Sequence, residues 1–181
     1  DRRHILDKDL FRIAKLKKIK VNLEIAPTLK MLNIAKKAKP DFVCIVPEKR
    51  KELTTEGGLN LKNNFLMIKK IVNSLKKANI KTSLFIEPKL SDVKKSKILR
   101  ADCVEIHTGK FCNLFNLKKD YSREILRIKK SVYKAYNIGL EVHAGHGLTY
   151  LSAKEISKIK YIKELNIGHF IISHAIFVGL K

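Results

Sequence analysis

Apolar residues recur along this chain in two alternating kinds of block: short runs rich in β-forming residues, and longer stretches whose apolar positions lie three and four apart. The short runs cover 21–25, 41–46, 82–86, 103–107, 139–143 and 164–167. Between them lie amphipathic stretches at 28–39, 61–79, 91–100, 122–137 and 152–162, and a further helical segment at 7–18 stands near the start. Several of these stretches open on Ser or Thr, residues whose hydroxyls cap a helix start. Strand and helix alternating through the whole chain predict a parallel α/β sheet.

The six strand starts, at 21, 41, 82, 103, 139 and 164, have a mean spacing of 28.6 residues. A (β/α)8 barrel of about 250 residues repeats every ~31. An open doubly wound sheet also accommodates six strands, but its nucleotide-binding forms carry a glycine-rich turn after the first strand. Here that turn reads Glu24-Ile25-Ala26-Pro27. The spacing therefore predicts one domain over 1–181, a (β/α)8 TIM barrel whose first two strands would lie before Asp1.

Charge changes the picture less than its size suggests. The 39 Lys and Arg against 17 Asp and Glu give +22, yet 32 of the 39 are Lys and seven are Arg, the residue best suited to bidentate reading of bases and phosphates. The lysines are spread over successive helical stretches, as expected of a solvated outer face, with a basic field that gathers anionic substrates as the other reading. No apolar stretch approaches the ~20 residues that span a bilayer, and no secretory leader is seen, so a soluble, intracellular protein is expected. Cys44, Cys103 and Cys112 lack CxxC spacing and are expected to be reduced, buried thiols, with no metal-ligand spacing in the chain.

Polar residues gather where the strands end: Glu24, Glu48, Glu87, Glu105 with His107, His143 with His146, and Gly168 with His169. In a parallel barrel these ends share one mouth. Glu48 and Glu87 each adjoin a proline and read as exposed loop charges, whereas Glu24 interrupts an apolar strand and reads as a partly buried base. The interval from 41 to 82 is 41 residues, which places an inserted loop, rich in Thr and ending in Gly57-Gly58, at the mouth as either a lid or a plain surface loop. In Ala144-Gly145-His146-Gly147-Leu148-Thr149-Tyr150, glycines flank a histidine at a strand end, a setting for proton transfer or for a structural histidine. Asn166-Ile167-Gly168-His169 precedes an apolar run at 170–178, and amides at the start of a short helix there would cradle a phosphate.

Val46-Pro47-Glu48-Lys49-Arg50 with Thr54-Thr55-Glu56-Gly57-Gly58, then Glu105-Ile106-His107-Thr108-Gly109, then the two glycine-histidine motifs, occur in this order. Together they closely resemble the pyridoxine 5′-phosphate synthases of the deoxyxylulose-phosphate-dependent route to vitamin B6, over essentially the whole chain. The resemblance implies a cytoplasmic (β/α)8 barrel that assembles as a homo-octamer. It would condense 3-amino-2-oxopropyl phosphate with 1-deoxy-D-xylulose 5-phosphate, releasing phosphate and water, without a cofactor or metal. It also implies that Glu24 is a proton acceptor, His146 a proton donor and Glu105 a stabiliser of the transition state. His4 and Thr54 match binders of deoxyxylulose phosphate; Gly147, Gly168 and His169 match contacts to aminooxopropyl phosphate. An Asn-x-Asp-His and a His-Leu-Arg of the family, and with them its other catalytic histidine, would precede Asp1, and the family's closing helix is cut short after Lys181. His143 stands where many members carry Asn. The competing classes are another phosphosugar-binding barrel, an isomerase or aldolase that would often use a strand lysine or a metal, and a basic nucleic-acid-binding protein, which the resemblance disfavours.

Overall fold

The structure, a computed structural model, describes residues 5–16, 18–47 and 57–180. Among these, six parallel strands, β1 (Asn22–Ile25), β2 (Phe42–Ile45), β3 (Lys81–Ile86), β4 (Cys103–His107), β5 (Glu141–Gly145) and β6 (Ile162–Asn166), pair in chain order in one sheet. The sheet curls into a half-barrel, the arrangement expected of part of a (β/α)8 barrel. Eight helices alternate with the strands: α1 (Asp7–Lys15), α2 (Leu29–Ala38), α3 (Phe65–Lys77), α4 (Leu90–Ile98), α5 (Gly109–Asn116), α6 (Ser122–Asn137), α7 (Tyr150–Ser157) and α8 (His169–Val178).

The alternation of side chains along each strand sorts the sheet into two unlike faces. Leu23 and Ile25, Val43 and Ile45, Leu84 and Ile86, Val104 and Ile106, and Val142 and Ala144 point to the helix side and join one continuous apolar core. The helices meet them with stripes at helical spacing, such as Ile68, Ile71, Val72 and Leu75 of α3. The opposite face, the inside of the curl, carries Glu24, Cys44, Ser83, Cys103, Glu105, His107, Glu141 and His143. Cys44 and Cys103 are fully buried yet lie outside the apolar cluster. All three cysteines are free and buried, as expected.

Pairing carries these residues into two successive rows: Glu24 sits opposite Cys44, Cys44 opposite Ser83 and Ser83 opposite Cys103, and two residues further along Glu105 sits opposite His143 and His143 opposite Glu164. Between β5 and β6 the register skips Lys163, a bulge that keeps Glu164 and Asn166 abreast of His143 and Gly145. Two lysines, Lys81 and Lys163, lie in strands just outside the runs read from the sequence. Both are exposed.

Helix starts depart from the sequence reading in detail. Thr28 caps α2 by accepting from the Met31 N–H. For α7 the cap is Thr149, with Ser152 at the third position completing a reciprocal capping box, so the helix begins two residues before the predicted start. Helix α5 is an addition between β4 and α6.

Candidate active site

The strands run parallel, so the carboxyl ends of all six open on one side, and the candidate residues arrive there from separate elements. At its centre is Glu105 of β4, 4% exposed, whose Oε2 accepts from Asn166 Nδ2 at 2.7 Å and from the Cys44 thiol at 3.5 Å. Burial raises the Glu105 pKa and the nearby Glu24 carboxylate adds to this, against the lowering by the Asn166 hydrogen bond. Only glycine fits at 145, because a Cβ there would run into the Glu105 carboxylate and come within 3.0 Å of Asn166 Cβ. A carboxyl raised in this way and set beside a second carboxylate holds its proton to higher pH than a free one and is suited to proton transfer.

Glu24 itself is exposed rather than partly buried. The reason is its strand: β1 is the edge of the six-stranded sheet, with β2 on one side only. Its charge nonetheless reaches Glu105 and Cys44.

A second cluster forms one strand end further along. His146 follows β5 with φ 80°, and Gly147 follows with φ 75°, two successive residues in the left-handed region. Histidine tolerates this conformation better than most residues but still at a cost, and such strain gathers at functional sites. The turn is pinned by Thr108, whose Oγ1 donates at 2.7 Å to the carbonyls of both Gly145 and His146, and by Cys112, whose Sγ lies 3.6 Å from the His146 carbonyl. The His146 ring lies 4.9 Å from that of His107 and 6.2 Å from Phe85, centre to centre.

Glu87, expected as an exposed loop charge, is instead half-buried and bound on two sides: its Oε1 meets His107 Nδ1 at 2.9 Å and accepts the Gly58 N–H at 3.0 Å. The His107 hydrogen bond, helped by Gly58 and opposed by partial burial, lowers the Glu87 carboxyl from 4.5 to about 2. Adjacent proline says nothing about what packs on the other side of a residue, so this pairing was not legible locally.

Gly168 caps α8 and His169 begins it, both exposed, as the sequence predicts. A Cβ at Gly168 would meet no heavy atom within 4 Å, so packing does not require glycine there. His4, Glu48 and Thr54, and most of the loop read as a lid, lie outside the described residues; its far end is anchored where the Leu59 N–H donates to the Phe85 carbonyl at 2.8 Å.

The structure also gathers a group that sequence spacing does not show. Ligand atoms of Cys103, Glu141 and His143 lie within 4.8 Å of one another. His143 Nε2 is 2.8 Å from Glu141 and Nδ1 is 3.6 Å from Glu164. The contact of the His143 ring with Glu141, and Glu164 beside it, account for this group, and burial, with the Glu141 charge, pushes the Cys103 thiol up to about 12, far from a ready thiolate ligand. A cavity of about 540 Å³ opens at the opposite, amino-terminal end of the strands, beside Lys76, Lys97, Arg100 and Asp102, and is remote from the carboxyl-end residues.

Comparison with known proteins places the chain in a family. The family model described as pyridoxal phosphate biosynthesis protein PdxJ matches residues 1–181. The chain belongs to the PdxJ family. Among its relatives, a protein named pyridoxine 5′-phosphate synthase from Pelagibacter ubique (strain HTCC1062) is 54% identical over 181 residues, covering 100% of this chain and 76% of the relative. Another of that name from Sulfurihydrogenibium sp. (strain YO3AOP1) is 49% identical over 183 residues, covering 99% and 74%. The crystal structure of a putative copper homeostasis protein CutC from Streptococcus agalactiae superposes with TM-score 0.56 at 15% identity, covering 89% of this chain and 80% of that one, which is a likeness of fold alone. PdxJ membership makes this an enzyme chain of vitamin B6 biosynthesis. Within the PdxJ frame, Glu24 and Glu105 form one group, His146, His107 and Glu87 another, and Gly168 with His169 a third.

Proposed function

We propose that this chain catalyses the PdxJ-family condensation of 3-amino-2-oxopropyl phosphate with 1-deoxy-D-xylulose 5-phosphate to pyridoxine 5′-phosphate, phosphate and water. The observation that carries the reading is Glu105: a buried carboxyl of raised pKa, fixed by Asn166 and faced by Glu24, at the mouth where His146 emerges. Joining an amine to a ketone, expelling phosphate and closing a ring requires repeated proton transfer, and substrates and products balance without an external oxidant. Glu24 takes the proton acceptor's part, His146 the donor's, and Glu105 steadies charge that develops between them. Gly168, His169 and Gly147 hold the aminooxopropyl phosphate: at 168 the missing side chain leaves the α8 amides open to an anion, a space that packing does not claim. His4 and Thr54 hold the deoxyxylulose phosphate. We read the protein as cytoplasmic, without nucleic-acid or membrane partners, and as a homo-octamer, on the family resemblance. Among the described residues no helix is long and apolar enough to cross a membrane.

Steady-state kinetics with each substrate varied in turn test the reading. Glu24→Gln lowers kcat by about 10²-fold with little change in KM. Gly168→Val leaves the fold intact and raises KM for the aminooxopropyl phosphate selectively. Wild-type protein that forms no pyridoxine 5′-phosphate would overturn the assignment, and equal effects of Gly168→Val on both substrates would overturn the division of the phosphate sites.

A further inference from the structure

His107 is 5% exposed, and its two ring nitrogens have opposite fates. Nδ1 lies 2.9 Å from Glu87 Oε1, while Nε2 is buried with no hydrogen-bond partner. A buried nitrogen left unmatched is costly and rare in a native core. Its surroundings show where it is aimed. A single point, the place a Cβ would take on Gly109, lies 2.6 Å from His107 Nε2 and 3.1 Å from His146 Cδ2. The two imidazoles therefore converge on one small space at the amino end of α5, and glycine at 109 keeps it open.

Glu87 decides the state of the inner imidazole. An ionised carboxylate can only accept, so Nδ1 of His107 carries the hydrogen and Nε2 of the neutral ring keeps its lone pair. Around this arrangement stand Arg127 of α6, 3.9 Å from Glu87 and also bound to Glu124, which in turn pairs with Lys110 of α5. Lys89 acts on Glu87 through its charge, and Cys112 of α5 contacts the His146 carbonyl.

We propose that Glu87 and His107 are a positioning pair for His146: the carboxylate fixes the His107 tautomer, and the Nε2 lone pair so presented favours the protonated, proton-donating form of the His146 imidazole. The inference rests on the reading of His146 as proton donor and names the residues that make it one. Neither partner needs to touch substrate. Gly58 binds the same Glu87 oxygen as His107, so the pair also joins the foot of the inserted loop to the acid-base residue.

The test is a titration of the His146 ring by NMR in the full chain, in wild type, Glu87→Gln and His107→Phe, beside the pH dependence of kcat. Phenylalanine keeps the ring's shape and removes both nitrogens. In each variant the His146 midpoint falls by about half a unit or more, and the high-pH limb of kcat follows it, because a proton donor is lost sooner as pH rises. At pH above that limb, kcat drops about threefold or more and recovers on acidification, with both KM values within about twofold. Thermal melts establish folding; if His107→Phe does not fold, the near-isosteric Glu87→Gln answers alone. An unmoved His146 midpoint and an unmoved limb in the folded variants overturn the pairing. His146→Asn separates the two claims: if it retains wild-type turnover, the proton-donor reading and the inference resting on it both fall. If it abolishes turnover while the His146 midpoint ignores Glu87 and His107, only the pairing does.

Discussion

Glu87 carries a signature in acid stability as well as in chemistry. Its carboxyl is held at about 2 in the folded chain against 4.5 unfolded, chiefly by His107. A depressed carboxyl contributes stability that is fully present above pH about 4.5 and is lost as pH falls from there to about 2. With 26% of the side chain in water, the contribution is discounted to about 1–2 kcal/mol. Glu87→Gln is thus less stable than wild type by that amount in denaturant unfolding at pH 7, and the gap closes toward pH 2.5. A gap that stays constant across this range would remove the carboxylate from the account. Glu105 behaves in the opposite sense: its pKa is raised, so its ionised form burdens the fold at neutral pH while equipping the site. That is the usual relation between a strained functional group and its scaffold.

At the scale of elements, the tightest constraint is the turn of chain where β5 ends. Gly145 has no room for a Cβ because Glu105 and Asn166 meet across it. Gly145→Ala displaces the Glu105 carboxylate and overpacks the strand, with an expected loss of about 1–3 kcal/mol in stability and at least tenfold in kcat. A wild-type melt together with wild-type turnover would show that the strand end yields freely. Elements of this kind also mark what a sequence reveals. The 16-residue helix α6 (Ser122–Asn137) matches its predicted span because its apolar stripe at Ile128, Val132 and Ala135 is regular and its ends are polar. Helix α5 escaped because its eight residues open on glycine and make too short a periodic signal. Strands β5 and β6 sit about two residues from their predicted starts, since Gly139 turns the chain at φ 73° and the bulge at Lys163 breaks the alternation. Glu105, His146 and Gly168 were legible as polar or glycine interruptions at strand ends. Asn166 as the Glu105 partner, Cys44 beside it, and Glu87 as the His107 partner were not, because each contact joins residues at least 20 apart and depends on register rather than on neighbours in sequence.

For the whole molecule, the charge of +22 acts at a distance. Both proposed substrates are phosphate monoesters, and a positive field raises their encounter rate until salt screens it. Raising ionic strength from about 0.05 to about 0.5 M shortens the screening length severalfold. It should lower kcat/KM several-fold while leaving kcat nearly constant; an uncharged competitor should show no such dependence, and salt-insensitive kcat/KM would confine the lysines to solubility.

The two faces of the sheet have a further consequence, readable in mutant libraries. In β4, Val104 and Ile106 belong to the apolar core while Cys103, Glu105 and His107 line the inside of the curl. Abundance and turnover therefore fail at alternate positions. In a saturation scan scored separately for protein level and for product formed, the two profiles along β4 should beat in antiphase with a two-residue period: substitutions at 104 and 106 deplete the protein, those at 105 leave it abundant and silent, and those at 107 leave it abundant with turnover lowered at high pH. Fitness alone would blur both into one uniformly intolerant strand.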